Sequence, residues 1–221
     1  MRSIQAVLTD GWRLYAQNFW RLLRASWLQA VVYALLLGFS MTYFFTSLLP
    51  RLMAHVSPMP EAIVWGVSVV VFLVGAYVFA AAGGLAPLKQ HWQTGAIAQP
   101  RHWWGCWPWR LMLHGLKALP AMLIQIIKGK QLGKLIVVLL FMLLLVTVAT
   151  VFFQMPAIIL AAANIEGQAS LAAGDMADLP DHLWLLNFAT FAICGLLQAF
   201  IHLATLFPIY YIWRNTQLKK D

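Results

Sequence analysis

The sequence predicts an all-α membrane protein of four transmembrane helices with both termini on the cytoplasmic side, and three observations carry that prediction. Of 221 residues, 62% are hydrophobic and 10% charged, with a mean hydropathy of +0.76. Soluble domains carry about 25% charged residues, so lipid must be the solvent for much of this chain. Four segments, 26–49, 62–85, 135–163 and 183–213, exceed the ~20 apolar residues needed to cross a ~30 Å hydrocarbon core. The basic residues are segregated: the N-terminal arm holds Arg2, Arg13, Arg21 and Arg24, the loop after the second segment Lys89, Arg101, Arg110, Lys117, Lys128, Lys130 and Lys134, and the tail Arg214, Lys219 and Lys220. Only Arg51 remains for the other two loops, whereas Glu61, Glu166, Asp175, Asp178 and Asp181 fall there. By the positive-inside rule the three basic segments are cytoplasmic. The net charge of +8 therefore reflects orientation and gives no reason to invoke nucleic acid, because the cations flank apolar runs.

Residues 1–24 form the first element. Ile4, Val7, Leu8, Trp12, Tyr15, Phe19, Leu22 and Leu23 recur at spacings of three and four, with Arg13, Arg21 and Arg24 on another face. That is an amphipathic helix, suited to the cytoplasmic headgroup layer, where each cation gains ~1 kcal/mol from anionic lipid; the same pattern also suits packing against its own bundle. The charges interspersed through it do not match a cleavable signal peptide, so the arm is expected to be retained.

The first span carries Ser26, Ala30, Ala34, Gly38, Thr42 and Thr46, small residues each four apart. Such a row lets another helix come close, either within the chain or in self-association through Ala30, Ala34 and Gly38. The second span repeats it briefly at Ala76, Ala80 and Gly84. The basic loop, 89–134, then holds a second amphipathic stretch after Pro108, with Arg110, His114, Lys117, Gln125 and Lys128 toward one face and Pro120 expected to break or bend it. Trp103, Trp104, Trp107 and Trp109 would seat its start at the interface, and Arg110, Lys117 and Lys128 would meet headgroups as Arg13, Arg21 and Arg24 do.

The last two spans contain Pro156 and Pro208, where a kink or an interfacial end is expected. In the fourth, Asn187, Thr190, Cys194, Gln198, His202 and Thr205 lie within about 60° of one line at 100° per residue. Thr147, Thr150 and Gln154 make a shorter stripe on the third. Polar groups in hydrocarbon need partners, so the stripes should face each other or a wet cavity. Gln154, Asn187, Gln198 and His202 are thus the candidate intramembrane site, read either as hydrogen-bonding glue or as a ligand or proton site. Glue is favoured, because no charged residue accompanies His202 in mid-span.

Two likenesses run along the chain. Trp12-Arg13-Leu14 returns as Trp109-Arg110-Leu111, and Leu85, Pro87 and Trp92 return as Leu206, Pro208 and Trp213, which fits a parallel two-fold repeat of an interfacial helix followed by a hairpin. The opening Asp10-Gly11-Trp12-Arg13-Leu14-Tyr15 and Asn18-Phe19-Trp20-Arg21-Leu22-Leu23 resembles the start of several bacterial multi-pass families, including the membrane domain attached to some glycerophosphodiester phosphodiesterases. The resemblance covers about 35 residues. It implies a bacterial cytoplasmic (inner) membrane and no activity, since the catalytic residues of those enzymes lie in a soluble domain that this sequence does not contain.

Chemical motifs are sparse. Cys106 in the basic loop and Cys194 in an apolar run are expected to be free thiols. His102 and Cys106 lack the further ligands of a zinc site, and no nucleophile elbow, phosphate loop or mid-span Asp pair is present, so neither metal nor cofactor is expected. The sequence reads as a non-catalytic helix-bundle module for membrane-protein assembly or interaction with lipid. The alternative is a small, oligomeric transporter or channel lined by spans three and four, and a lipid-active enzyme using His91, His102 and Cys106 ranks last.

Overall fold

The computed structural model describes residues 3–95, 109–174 and 182–217, and every regular element among them is helical. Helix α1 (Ile4–Tyr43) continues through a π-helical turn, Phe44–Leu48, into the short α2 (Leu49–Met53). Helix α3 (Met59–Phe79) continues through a second π-helical segment, Ala80–Leu85, into α4 (Ala86–Thr94). Then come α5 (Trp109–Lys128), α6 (Leu132–Phe153), α7 (Met155–Ala172) and α8 (Leu183–Gln217). Four helical stretches are long and apolar enough to cross a membrane: Ile4–Met53, Met59–Leu85, Leu132–Phe153 and Leu183–Gln217. That agrees in number with the sequence.

The boundaries differ in ways that proline and helix propensity explain. No junction separates an arm of 1–24 from a span beginning at residue 26, because α1 runs unbroken through both. Nothing between Leu22 and Ala34 breaks a helix, and the first proline after the arm is Pro50. The expected third span of 135–163 is divided: α6 ends at Phe153, Gln154 leaves the helix at φ −92°, ψ 0°, and α7 restarts with Pro156 in its first turn. Proline lacks an N–H and its ring collides with the carbonyl four residues back. The same collision accounts for the π segments. Pro50 and Pro87 each follow one closely, and the wider turn moves the offending carbonyl away. Helix α5 continues through Pro120, so of the break or bend predicted there no break occurs, and Pro120 is exposed.

The chain divides into two compact units. The first comprises Met1–Ala30, Tyr77–Ala149 and Phe200–Asp221. Its core is aromatic and aliphatic: Tyr15 lies edge-on to Phe207 at 5.2 Å and donates a hydrogen bond to the Phe200 carbonyl at 2.8 Å, among buried Val7, Leu14 and Leu22. Gly11 is required here, since a Cβ would stand 2.7 Å from the backbone nitrogen of Pro208. The second unit comprises Val31–Ala76 and Thr150–Ala199. In it Phe45, Leu49, Ala157, Phe191 and Cys194 form a buried cluster with the Phe45 and Phe191 rings stacked at 5.6 Å. The turn between α2 and α3 is held by an Arg51–Glu61 ion pair of 2.9 Å.

Candidate functional site

The polar residues of the apolar helices close on one another within the second unit. Gln154 Nε2 donates to Gln198 Oε1 at 2.5 Å. Asn187, fully buried, exchanges two hydrogen bonds with Asn164: Asn164 Nδ2 donates to Asn187 Oδ1 at 2.8 Å and Asn187 Nδ2 donates back to Asn164 Oδ1 at 3.2 Å. Asn164 Nδ2 also donates to the Leu160 carbonyl at 2.7 Å. Three of the four predicted site residues are therefore placed in amide pairs, whose chemistry is neutral at any physiological pH and holds helices together. The pairing partner Asn164 lies one residue past the predicted end of the third span. His202 belongs to the first unit, on an exposed face of α8, and its carbonyl accepts a hydrogen bond of 2.7 Å from Thr205 Oγ1. Cys194 is a free, buried thiol.

The row of small residues is buried inside the units. Ser26 and Ala30 are fully covered, and a Cβ on Gly83 would lie 3.0 Å from that of Ser26. In the second unit Gly38 faces Ala192 and the Phe188 carbonyl, and Ala34 faces Gly195. The row is thus engaged in packing α1 against helices of its own chain.

Arg13, Arg21, Arg24, Lys117 and Lys128 are exposed, as headgroup contacts require. The side chain of Arg110 lies outside the described residues, as do His102, Cys106 and the cluster Trp103, Trp104 and Trp107. Gln125, grouped by the sequence with Lys117 and Lys128 on one face, departs from these exposed neighbours. It is half-buried, and its Oε1 accepts hydrogen bonds from Trp213 Nε1 at 2.6 Å and Gln217 Nε2 at 2.5 Å.

Gln125 also lines a cavity of about 230 Å³ in the first unit, with Leu85, Leu88, Ala121, Met122, Tyr210 and Trp213. Behind its aromatic wall lies a polar cluster. The Tyr210 hydroxyl meets His91 Nδ1 at 3.3 Å, Trp92 and Trp213 are edge-on at 5.6 Å, and the Arg214 guanidinium sits 5.1 Å over the Trp92 ring. Burial, with Arg214 nearby, lowers the His91 pKa below its ordinary value of 6.5, so the ring favours its neutral form. The Nε of Arg214 is buried with no hydrogen-bond partner among the described residues. Sequence reasoning did not assemble this cluster, although its two halves belong to the paired pattern Leu85, Pro87, Trp92 and Leu206, Pro208, Trp213. Among the described residues no group of three metal-ligating side chains forms.

No protein-family model matches the chain, nor does any curated protein or solved structure. Fold and site together define a class: an all-helical protein with four helices capable of crossing a membrane.

Proposed function

We propose that this chain is a non-catalytic, four-span module of the bacterial cytoplasmic membrane, with both termini inside, that assembles with other membrane proteins and conditions the lipid around it. The observation that supports this reading is the mutual satisfaction of the amides on α7, on α8 and at the α6–α7 junction. A transporter lined by spans three and four would need such groups free to face a solute, whereas Gln154 is bonded to Gln198 and Asn164 to Asn187. The outer faces also suit lipid or a neighbouring helix: Val67, Val70 and Val74 on α3 and Leu140, Leu143 and Leu144 on α6 are largely exposed. The exposed isoleucines Ile124 and Ile127 beside Lys128 suit α5 to the headgroup layer, and Trp12 and Trp20 beside Arg13 and Arg21 do the same for α1.

Purification of the tagged chain from its own membrane in mild detergent tests the proposal. A membrane protein recovered at fixed stoichiometry, and lost when Val67 and Val70 are both changed to Trp, is expected. Solute uptake by proteoliposomes containing the chain alone, abolished by Gln198→Leu, would overturn it in favour of transport.

A further inference from the structure

We infer that the cavity lined by α4, α5 and α8 binds one anionic membrane lipid, with part of an acyl chain in the cavity and the phosphate against Arg214. The inference rests on the membrane placement proposed above and gives the lipid interaction a specific address. The lining is two-faced: Leu85, Leu88, Ala121 and Met122 supply an apolar wall, and Gln125, Tyr210 and Trp213 supply polar tips. Water is a poor occupant. Each takes ~30 Å³ and wants two to four partners, so a space of about 230 Å³ holds several, yet Gln125 Oε1 already accepts two hydrogen bonds and four of the seven lining side chains offer none. Methylenes fit that wall better.

The cation beside the cavity points to the charge of the head. Arg214 is fixed over Trp92, and Trp92 contacts Trp213 of the cavity wall. Its buried Nε lacks a hydrogen-bond acceptor among the described residues. A guanidinium also offers donors on its terminal nitrogens in a fork that matches two oxygens of one phosphate, and Arg214 is only partly buried, so a phosphodiester can engage that outer edge. The depth is suitable as well. Trp92, Tyr210 and Trp213 are the aromatic types of the membrane interface, and exposed Lys128 and Lys130 lie at the end of α5. Basic pockets between helices on the cytoplasmic side are where anionic lipid heads bind.

The test uses the full chain in nonionic detergent with phosphatidylglycerol carrying a photoreactive acyl chain, the same chain on phosphatidylcholine, and inorganic phosphate. Phosphatidylglycerol should raise the melting temperature saturably and crosslink to peptides containing Leu85 and Leu88, Met122, or Tyr210. Phosphatidylcholine should bind more weakly, and phosphate alone should not stabilise. Arg214→Gln should weaken phosphatidylglycerol about fivefold and narrow the preference over phosphatidylcholine. Ala121→Trp, which fills the cavity, should abolish crosslinking of both; should that variant not fold, Arg214→Gln and the crosslink map decide alone. Equal binding of the two lipids, stabilisation by phosphate alone, or crosslinks confined to outward residues such as Val67 and Leu140 would overturn the site. Such a failure with a stoichiometric protein partner still present removes the lipid site and leaves the proposed function standing; lipid binding without a partner does the reverse.

Discussion

Asn164 and Asn187 show how little freedom a buried amide has between apolar helices: each uses the other as both donor and acceptor. Asn164→Leu or Asn187→Leu alone should cost about 0.6 kcal/mol, and at most ~1.7 kcal/mol, the average and upper limit of interhelical hydrogen bonds in membranes, by stranding the remaining amide. The double variant should recover most of that loss, because two apolar groups leave no unsatisfied partner. Unfolding in detergent measures the cycle, and a fully additive double variant would dismiss the pair as glue. His91 gives a pH prediction. Its folded pKa lies below the ordinary 6.5 through burial and Arg214, so the unfolded chain binds the proton more readily. Its contribution to stability is complete above pH ~6.5 and declines as pH falls toward the lowered folded pKa. The melting temperature of His91→Gln should therefore fall less than that of the native chain between neutral pH and pH 5. The spacing of Asn187 and Gln198 made their shared face legible in the sequence, whereas His202, on the same line, lies exposed and outside the amide pairs. That spacing could not reveal that Asn164, at an apparent span end followed by Glu166, is the partner of Asn187. Nor could it bring Arg214 to Trp92, which lies 122 positions away.

At the scale of elements, hydropathy was enough to give the four helices long and apolar enough to cross a bilayer, because length and apolarity are both local properties. Boundaries were less legible. Amphipathicity changes at residue 24 without any break in the backbone, so α1 joins an arm and a span that pattern alone separates. Proline accompanies the interruptions that do occur, a helix restart after Gln154 and π segments before Pro50 and Pro87, whereas α5 and α8 run on through Pro120 and Pro208. Glycine marks contacts that pattern does not report. Gly11→Ala should destabilise by about 1 to 3 kcal/mol, since its Cβ would meet unyielding backbone at Pro208. Gly66→Ala is the control. Nothing lies within 4 Å of a Cβ at Gly66, also in mid-helix, so that variant should stabilise by up to ~1 kcal/mol through helix propensity. Equal effects of the two substitutions, measured by thermal unfolding in one detergent, would contradict the close approach of Gly11.

For the whole molecule, two independent partitions coincide. Backbone contacts assign Met1–Ala30, Tyr77–Ala149 and Phe200–Asp221 to one unit and Val31–Ala76 with Thr150–Ala199 to the other. Of the 15 Lys and Arg residues, the second unit contains Arg51 alone. Arg51 is neutralised by Glu61, so the one cation that opposes the proposed orientation carries little weight in it. Positive charge near span ends resists translocation, so this segregation of Lys and Arg supports the proposed orientation, with the cation-bearing segments inside. Single cysteines in a background of Cys106→Ser and Cys194→Ser provide the test. Ser57→Cys lies between α2 and α3, and Ala173→Cys just beyond α7, both at exposed positions. An impermeant maleimide added to intact cells should label both. Gln5→Cys, exposed near the start of α1, should react only after the membrane is opened. Labelling of Gln5→Cys from outside would reverse the orientation and move the Arg214 cavity to the opposite leaflet. Labelling of Ser57→Cys and not Ala173→Cys would mean that one of the last two spans fails to cross, and the count of four would fall with it.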